Sequence, residues 1–276
     1  MSEATWKRVL LWSGAAFMLV FCLAPFIWMI VISLSKTPDF LSSGRTIAPT
    51  LEHYKGVLTT GSVHLLRYLA NSLIVSAVAA VCATLFAGLA AYAITRMEFP
   101  GKMAIPVLML ALSMFPQISI VGYIFKLMTS LDWINSYYAL IFPYITLGLP
   151  LALWIMLSHL SQLSTELDKA ALVDGASRLQ ILRLIIFPVA LPGIVSAVLL
   201  VFIYSFNEFL FALMLTIDYN ARTIPVGIAL FEGLHGQIPW GPVMAAAVIS
   251  VVPLVLLAAV FQRYVIQGLM QGALKG

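Results

Sequence analysis

Long apolar runs separated by short polar stretches set the plan of this chain. Six of them, at about 9–34, 69–94, 104–128, 138–159, 186–214 and 241–262, each exceed the roughly 18 residues that cross a hydrocarbon core about 30 Å thick. They are too long for barrel strands and lack strand alternation, so each predicts a membrane-spanning helix. The expected fold class is all-α integral membrane, with six transmembrane helices in a single domain over residues 1–276. No internal repeat and no low-complexity tract divides it further.

The connections differ in character. The first outer one, roughly 35–68, carries Pro38, Gly44, Pro49 and Gly56 and is expected to be irregular with one short surface helix. The second, 129–137, places Asp132, Trp133 and Asn135 at the interface. The third, 215–240, stays apolar through TIPVGIALFEGLHGQIPW despite Pro225, Gly233, Gly236 and Pro239. Folding back into the membrane, contact with a partner and a simple packed loop all fit it.

A polar loop at 160–187 separates the fourth and fifth runs. Thr165 followed by Asp168 matches a capping box, and Glu166 and Asp168 suit the positive end of a helix dipole. The helix should continue through Lys169, Ala170, Ala171, Leu172 and Val173 and end at Asp174-Gly175, since glycine accepts the left-handed C-cap conformation. A second amphipathic helix begins near Ser177 and leads to Pro188. Ala171 and Gly175, four apart, would leave a low face for another protein, with acidic and basic residues on its rim. An interfacial helix pair that only anchors the bundle is equally compatible.

Composition agrees with the pattern: 62% of residues are hydrophobic and 9% charged, against about 25% charged in soluble domains. Mean hydropathy is +1.03. With the N-terminus inside, nine of the 15 Lys and Arg (Lys7, Arg8, Arg96, Lys102, Lys169, Arg178, Arg183, Arg263, Lys275) fall on the cytoplasmic side and six (Lys36, Arg45, Lys55, Arg67, Lys126, Arg222) outside. The positive-inside rule then places both termini in the cytoplasm. The first run is too long for a signal-peptide core and is read as an uncleaved span. Cys22 and Cys82 lie within spans as packing residues.

No G-x-x-x-x-G-K-[ST] phosphate loop, Ser-His-Asp order or H-E-x-x-H pattern occurs, and His53, His64, His159 and His235 are scattered. Catalysis and metal binding by this chain are not expected. Asn207 and Glu208 are the clearest polar residues inside a run. An intramembrane ionisable group is costly unless it faces a cavity or a partner. Glu208, with Tyr204 and Asn207 nearby, is therefore a solute-path candidate, and Gln117, Asn71, Ser72, Ser76 and Ser119 are weaker ones. Hydrogen bonding that holds the bundle together is the competing role.

The 164–188 segment resembles the EAA loop of permease subunits of binding-protein-dependent ABC importers. Ala170, Ala171, Asp174, Gly175, Ala176, Ile186 and Pro188 occupy matching places, while Lys169 stands where Glu is usual and Phe187 where Leu is common. The ordered segments 71-NSLIVS-76, 91-AYAITRMEFPGK-102, 114-MFP-116, 206-FNEFLFAL-213, 224-IPVG-227, 240-WGPVMAAA-247 and 262-QRYVIQGLMQGALKG-276 extend the likeness to the carbohydrate-uptake branch, similar to the maltose-type second permease.

The resemblance implies a type I ABC importer permease fold, multi-pass in the bacterial cytoplasmic (inner) membrane, that moves a sugar by alternating access. It implies as partners a second permease, two cytoplasmic ABC ATPase subunits, an extracytoplasmic solute-binding protein and membrane lipid, and no nucleic acid. ATP and Mg belong to the ATPases, and no cofactor to this chain. It also implies ATPase coupling through Glu166, Asp168, Lys169, Ala170, Ala171, Asp174, Gly175 and Arg178. A competing class is an ion-gradient-driven secondary transporter with Glu208 as its coupling site, expected to show inverted repeats and interrupted helices. A third is a membrane anchor whose loop recruits a soluble protein.

Overall fold

The computed structural model describes residues 3–36, 49–59, 64–231 and 238–273, with side chains over 6–36, 49–59, 64–231 and 238–264. Pro38, Gly44, Arg45, Gly233, His235, Gly236 and Lys275 of the sequence reading lie outside the described residues. The helices are α1 (Glu3–Ser33), α2 (Glu52–Thr59), α3 (Leu65–Arg96), α4 (Ala104–Ser113), α5 (Gln117–Ser130), α6 (Tyr137–Leu160), α7 (Glu166–Val173), α8 (Arg178–Ile181), a π-turn (Leu182–Ile186), α9 (Phe187–Val189), α10 (Leu191–Phe206), α11 (Leu210–Leu215), α12 (Ile224–Ala229) and α13 (Trp240–Ala273). The fold is all-α, as expected.

Among the described residues four helices, α1, α3, α6 and α13, are long and apolar enough to cross a membrane unbroken. The expected spans 104–128 and 186–214 are each a bent pair of helices, together apolar enough to cross a membrane, where the sequence suggested straight ones. The first is the pair α4 and α5, bent by 92°, and the second contains a 77° bend between the α8–α9 arm and α10. Pro116 explains the first bend: it is the N-cap of α5 with extended ψ 120, and a proline pushes the residue before it out of helical geometry. Pro192 at the start of α10 contributes to the second, because it has no N–H to continue the ladder across Ala190. The 186–214 run breaks again at Asn207–Phe209, between α10 and α11.

The chain forms two compact units, residues 1–66 with 228–252 and residues 67–227 with 253–276. In the first, α1 is apolar beyond Arg8, and only 6% of its most hydrophobic window is buried. Past its end, Ser35 bridges to Pro49, and α2 is the surface helix expected in this connection. Ser33 Oγ and Tyr54 OH lie 2.7 Å apart, and His53 Nε2 lies 3.0 Å from the Ser35 carbonyl.

The second unit is built on close approach. Ala79, Ala83, Ala87 and Ala91 recur every fourth residue of α3 with no exposed surface, forming the small-residue stripe by which membrane helices come together. Gly148 of α6 meets α10 with no room for a side chain: a Cβ there would lie 2.6 Å from Val201 Cγ1. Val75, Val121, Leu140, Tyr144 and Phe211 belong to one buried apolar cluster of this unit.

Candidate functional site

The α7 segment begins and ends for different reasons than its sequence pattern suggests. The expected Thr165–Asp168 capping box does not form, because Thr165 has helical φ and ψ and makes no side-chain cap. Ser164 Oγ instead accepts from the Glu166 amide at 3.2 Å. The capping box occurs at the next helix, where Ser177 accepts from the Gln180 amide and Gln180 Oε1 accepts from the Ser177 amide. The end of α7 is as expected. Gly175 takes φ +82, its amide reaches the Leu172 carbonyl at 3.1 Å, and the Ala176 amide reaches the Ala171 carbonyl at 3.0 Å. This is the paired closure of a Schellman motif.

Asp168 is drawn away from the helix start by partners on α3. Its Oδ1 accepts from Tyr92 OH at 3.1 Å, and its Oδ2 lies 3.1 Å from Arg96 Nε, with side-chain exposures of 9% and 4% for the acid and the base. Arg96 Nη2 also donates to the Leu163 carbonyl at 2.8 Å. Removing one member of such a buried pair costs about 3–5 kcal/mol, because the other charge is stranded.

Asp168 therefore does not sit on the exposed face where the sequence placed it. The low face expected from Ala171 is also corrected: Ala171 is buried with Asp168, and they are the two buried residues of the helix. What α7 presents outward is Glu166, Lys169, Ala170, Leu172 and Val173, followed by Asp174, Gly175 and Arg178. Val173 is 87% exposed and Leu179 72%. Glu166 and Lys169 pair at 2.9 Å on this rim, a contact worth well under about 1 kcal/mol at such exposure. Val173 and Leu179 thus form an apolar knob ringed by charge at the tip of a polar loop.

The solute-path candidates separate into two groups. Glu208 turns into the protein rather than toward a cavity. Its Oε1 accepts from the Phe211 amide at 2.8 Å, and its Oε2 accepts from the Ala212 amide at 3.1 Å and from Tyr144 OH at 2.8 Å. The carboxylate satisfies the open N-terminal amides of α11 and so stabilises the break after α10.

Asn71 is likewise structural: Nδ2 donates to the Tyr219 and Arg222 carbonyls at 3.0 and 2.9 Å, and Oδ1 accepts from Tyr137 OH at 2.7 Å. Ser72 Oγ accepts from the Ile224 amide at 2.8 Å. Ser76 is buried. The same 217–222 turn is held from the other side by Asn135. Its Oδ1 accepts from the Ile217 and Asp218 amides, and its Nδ2 donates to Asp218 Oδ1 at 2.9 Å. That bond and the Asn220 amide hold the Asp218 carboxyl below the usual carboxylate range. The sequence reading assigned Asn135 to the interface and missed this role; the available signal was an asparagine in a short connection, a residue that readily takes the positive φ of +62 found here.

Gln117 and Tyr204 form the second group. Gln117 Nε2 donates to Tyr204 OH at 2.7 Å on the wall of a cavity of about 820 Å³, which is otherwise largely apolar and is shared by Ser113, Thr146, Leu153 and Trp154. Its size lies within the range of small-molecule sites. Asn207 is exposed and donates to the Ile203 carbonyl at 2.8 Å. Ser119 is exposed on α5. The structure thus brings Gln117 and Tyr204 together on the cavity wall, which Asn71 and Glu208 do not line.

Residues 83–271 match the family model described as the binding-protein-dependent transport system inner membrane component. The trehalose/maltose transport system permease protein MalG of Thermococcus litoralis is 53% identical over all of both chains. The trehalose transport system permease protein SugB of Mycobacterium tuberculosis is 35% identical over 98% of this chain and 99% of that one. Among solved structures, a chain of a bacterial ABC transporter involved in the import of the acidic polysaccharide alginate superposes with a TM-score of 0.75 at 20% identity, covering 96% of this chain and 98% of the other.

Proposed function

The chain belongs to the family of binding-protein-dependent transport system inner membrane components, and on that premise we propose that it is the membrane permease of an ATP-driven sugar importer working by alternating access. Permeases of this family leave hydrolysis to separate subunits, and the phosphate loop needed for it is missing from the sequence. Its partners are a second permease, two ATPase subunits that bind ATP and Mg, and an extracytoplasmic solute-binding protein. Trehalose and maltose transport by the relatives supports a sugar as solute.

The observation that carries this reading is the outward surface of α7. Exposed Val173 and Leu179, rimmed by Glu166, Lys169, Asp174 and Arg178, suit seating in a cleft of an ATPase, with α7 and both termini on the cytoplasmic side. The ATPase must hold two states of the permease with different affinity, or its closure could not shift them. Gln117, Tyr204 and Asn207 line the route of the sugar, and Asn71 and Glu208 hold its wall. The gradient-driven alternative is not favoured, because the Glu208 carboxylate is committed to two backbone amides and a tyrosine hydroxyl.

Gly175 supplies the test. A Cβ there meets open space, but φ is +82, so Gly175→Arg both strains the turn and projects a charged chain from the docking face. Asparagine tolerates that backbone. Expected in proteoliposomes of the complete transporter is loss of radiolabelled trehalose and maltose uptake for Gly175→Arg and retention for Gly175→Asn. Normal uptake by the arginine variant would overturn the docking role.

A further inference from the structure

The inward side of α7 is nearly bare. Of its eight residues, Asp168 and Ala171 are buried, and Ala171 offers a single methyl group. Asp168 reaches α3 through two independent contacts, the Tyr92 hydroxyl and the Arg96 guanidinium, and Arg96 also holds the chain just before α7 by the Leu163 carbonyl. Arg96 is the last residue of α3. One guanidinium thus joins the end of a membrane helix, the entry to α7 and the middle of α7.

We propose that Arg96 and Asp168 are positioning residues that clamp α7 to the end of α3, so that displacement of α7 by an ATPase is delivered to a membrane helix instead of being absorbed in the loop. This rests on the importer reading above. The physical ground is stiffness. The Arg96 guanidinium donates to the Leu163 carbonyl and lies in ion-pair contact with the Asp168 carboxylate, which the Tyr92 hydroxyl bond orients, whereas a helix held by a methyl group and its flanking turns can tilt under load. Burial keeps the pair from being screened by salt.

The test compares solute moved per ATP hydrolysed, using the complete transporter in proteoliposomes with its binding protein and radiolabelled trehalose and maltose. Arg96→Met with Asp168→Leu removes both charges and retains apolar volume, so no charge is left stranded and assembly is expected. ATP hydrolysis should continue while sugar moved per ATP falls by at least about fivefold, the lower end of coupling between sites. Arg96→Lys, which keeps the charge but not the planar fork, should lie between this variant and the wild type. An unchanged ratio in the double variant overturns the clamp. So does a proportional loss of uptake and hydrolysis, or failure to assemble, since either assigns the pair to folding. Wild-type transporter that takes up neither sugar overturns the importer reading, and the clamp with it. Wild-type uptake with an unaltered double variant removes the clamp alone.

Discussion

Glu208 shows what a single side chain can hold inside a membrane helix. The carboxylate accepts from the Phe211 and Ala212 amides and from Tyr144 OH, and an amide in its place must aim N–H groups at donors. Glu208→Gln should therefore lower stability by about 1–3 kcal/mol, read as a reduced Tm of the detergent-solubilised protein. Tyr144→Phe should cost about 1 kcal/mol, and the two effects should fall short of their sum because they share one oxygen. The sequence marked Glu208 as unusual but left its purpose open. An intramembrane acid is equally conspicuous beside a cavity or at a broken helix, and the break itself left no apolar interruption long enough to notice. Asp168 was misread for a related reason: its hydroxyl partner Tyr92 lies 76 residues away in the chain, beyond any local spacing rule.

At the scale of elements, the loop between α6 and α10 depends on which residue caps which helix. Ser177 makes the reciprocal box with Gln180, and Thr165 caps nothing. Ser177→Ala should destabilise this segment by about 1 kcal/mol and Thr165→Ala by much less. The measurement is the rate of proteolytic nicking between residues 160 and 189, which should rise for the first variant alone. The helix after Ser177 and the stop at Gly175 were both legible in the sequence, since each rests on the chemistry of one turn. The bends at Pro116 and Ala190 were not, because hydropathy averages over a window and passes smoothly across a proline in an apolar run. The prolines were visible, yet α6 contains Pro143 and Pro150 and continues as one helix.

For the whole molecule, the apolar runs were enough to expect an all-α membrane protein, and the ordered motifs to expect a permease that works with others. The partition of the candidate site was not legible, because it depends on which way α7, α10 and α11 turn. A permease of this kind has no source of energy of its own. The purified chain alone in liposomes should not accumulate trehalose or maltose under an imposed proton or sodium gradient, and uptake should require the ATPases, the second permease and ATP. Accumulation by the isolated chain would restore the carrier reading. The π-turn at Leu182–Ile186 has a consequence for anyone recombining such chains. It houses one amino acid more than an ordinary turn, and each residue inserted or deleted between Gly175 and Pro188 swings everything before it by about 100° around the helix axis. Whether Val173 points at its neighbour is therefore a matter of counting as well as of chemistry, and segments borrowed from a relative must match in length before they can match in contact.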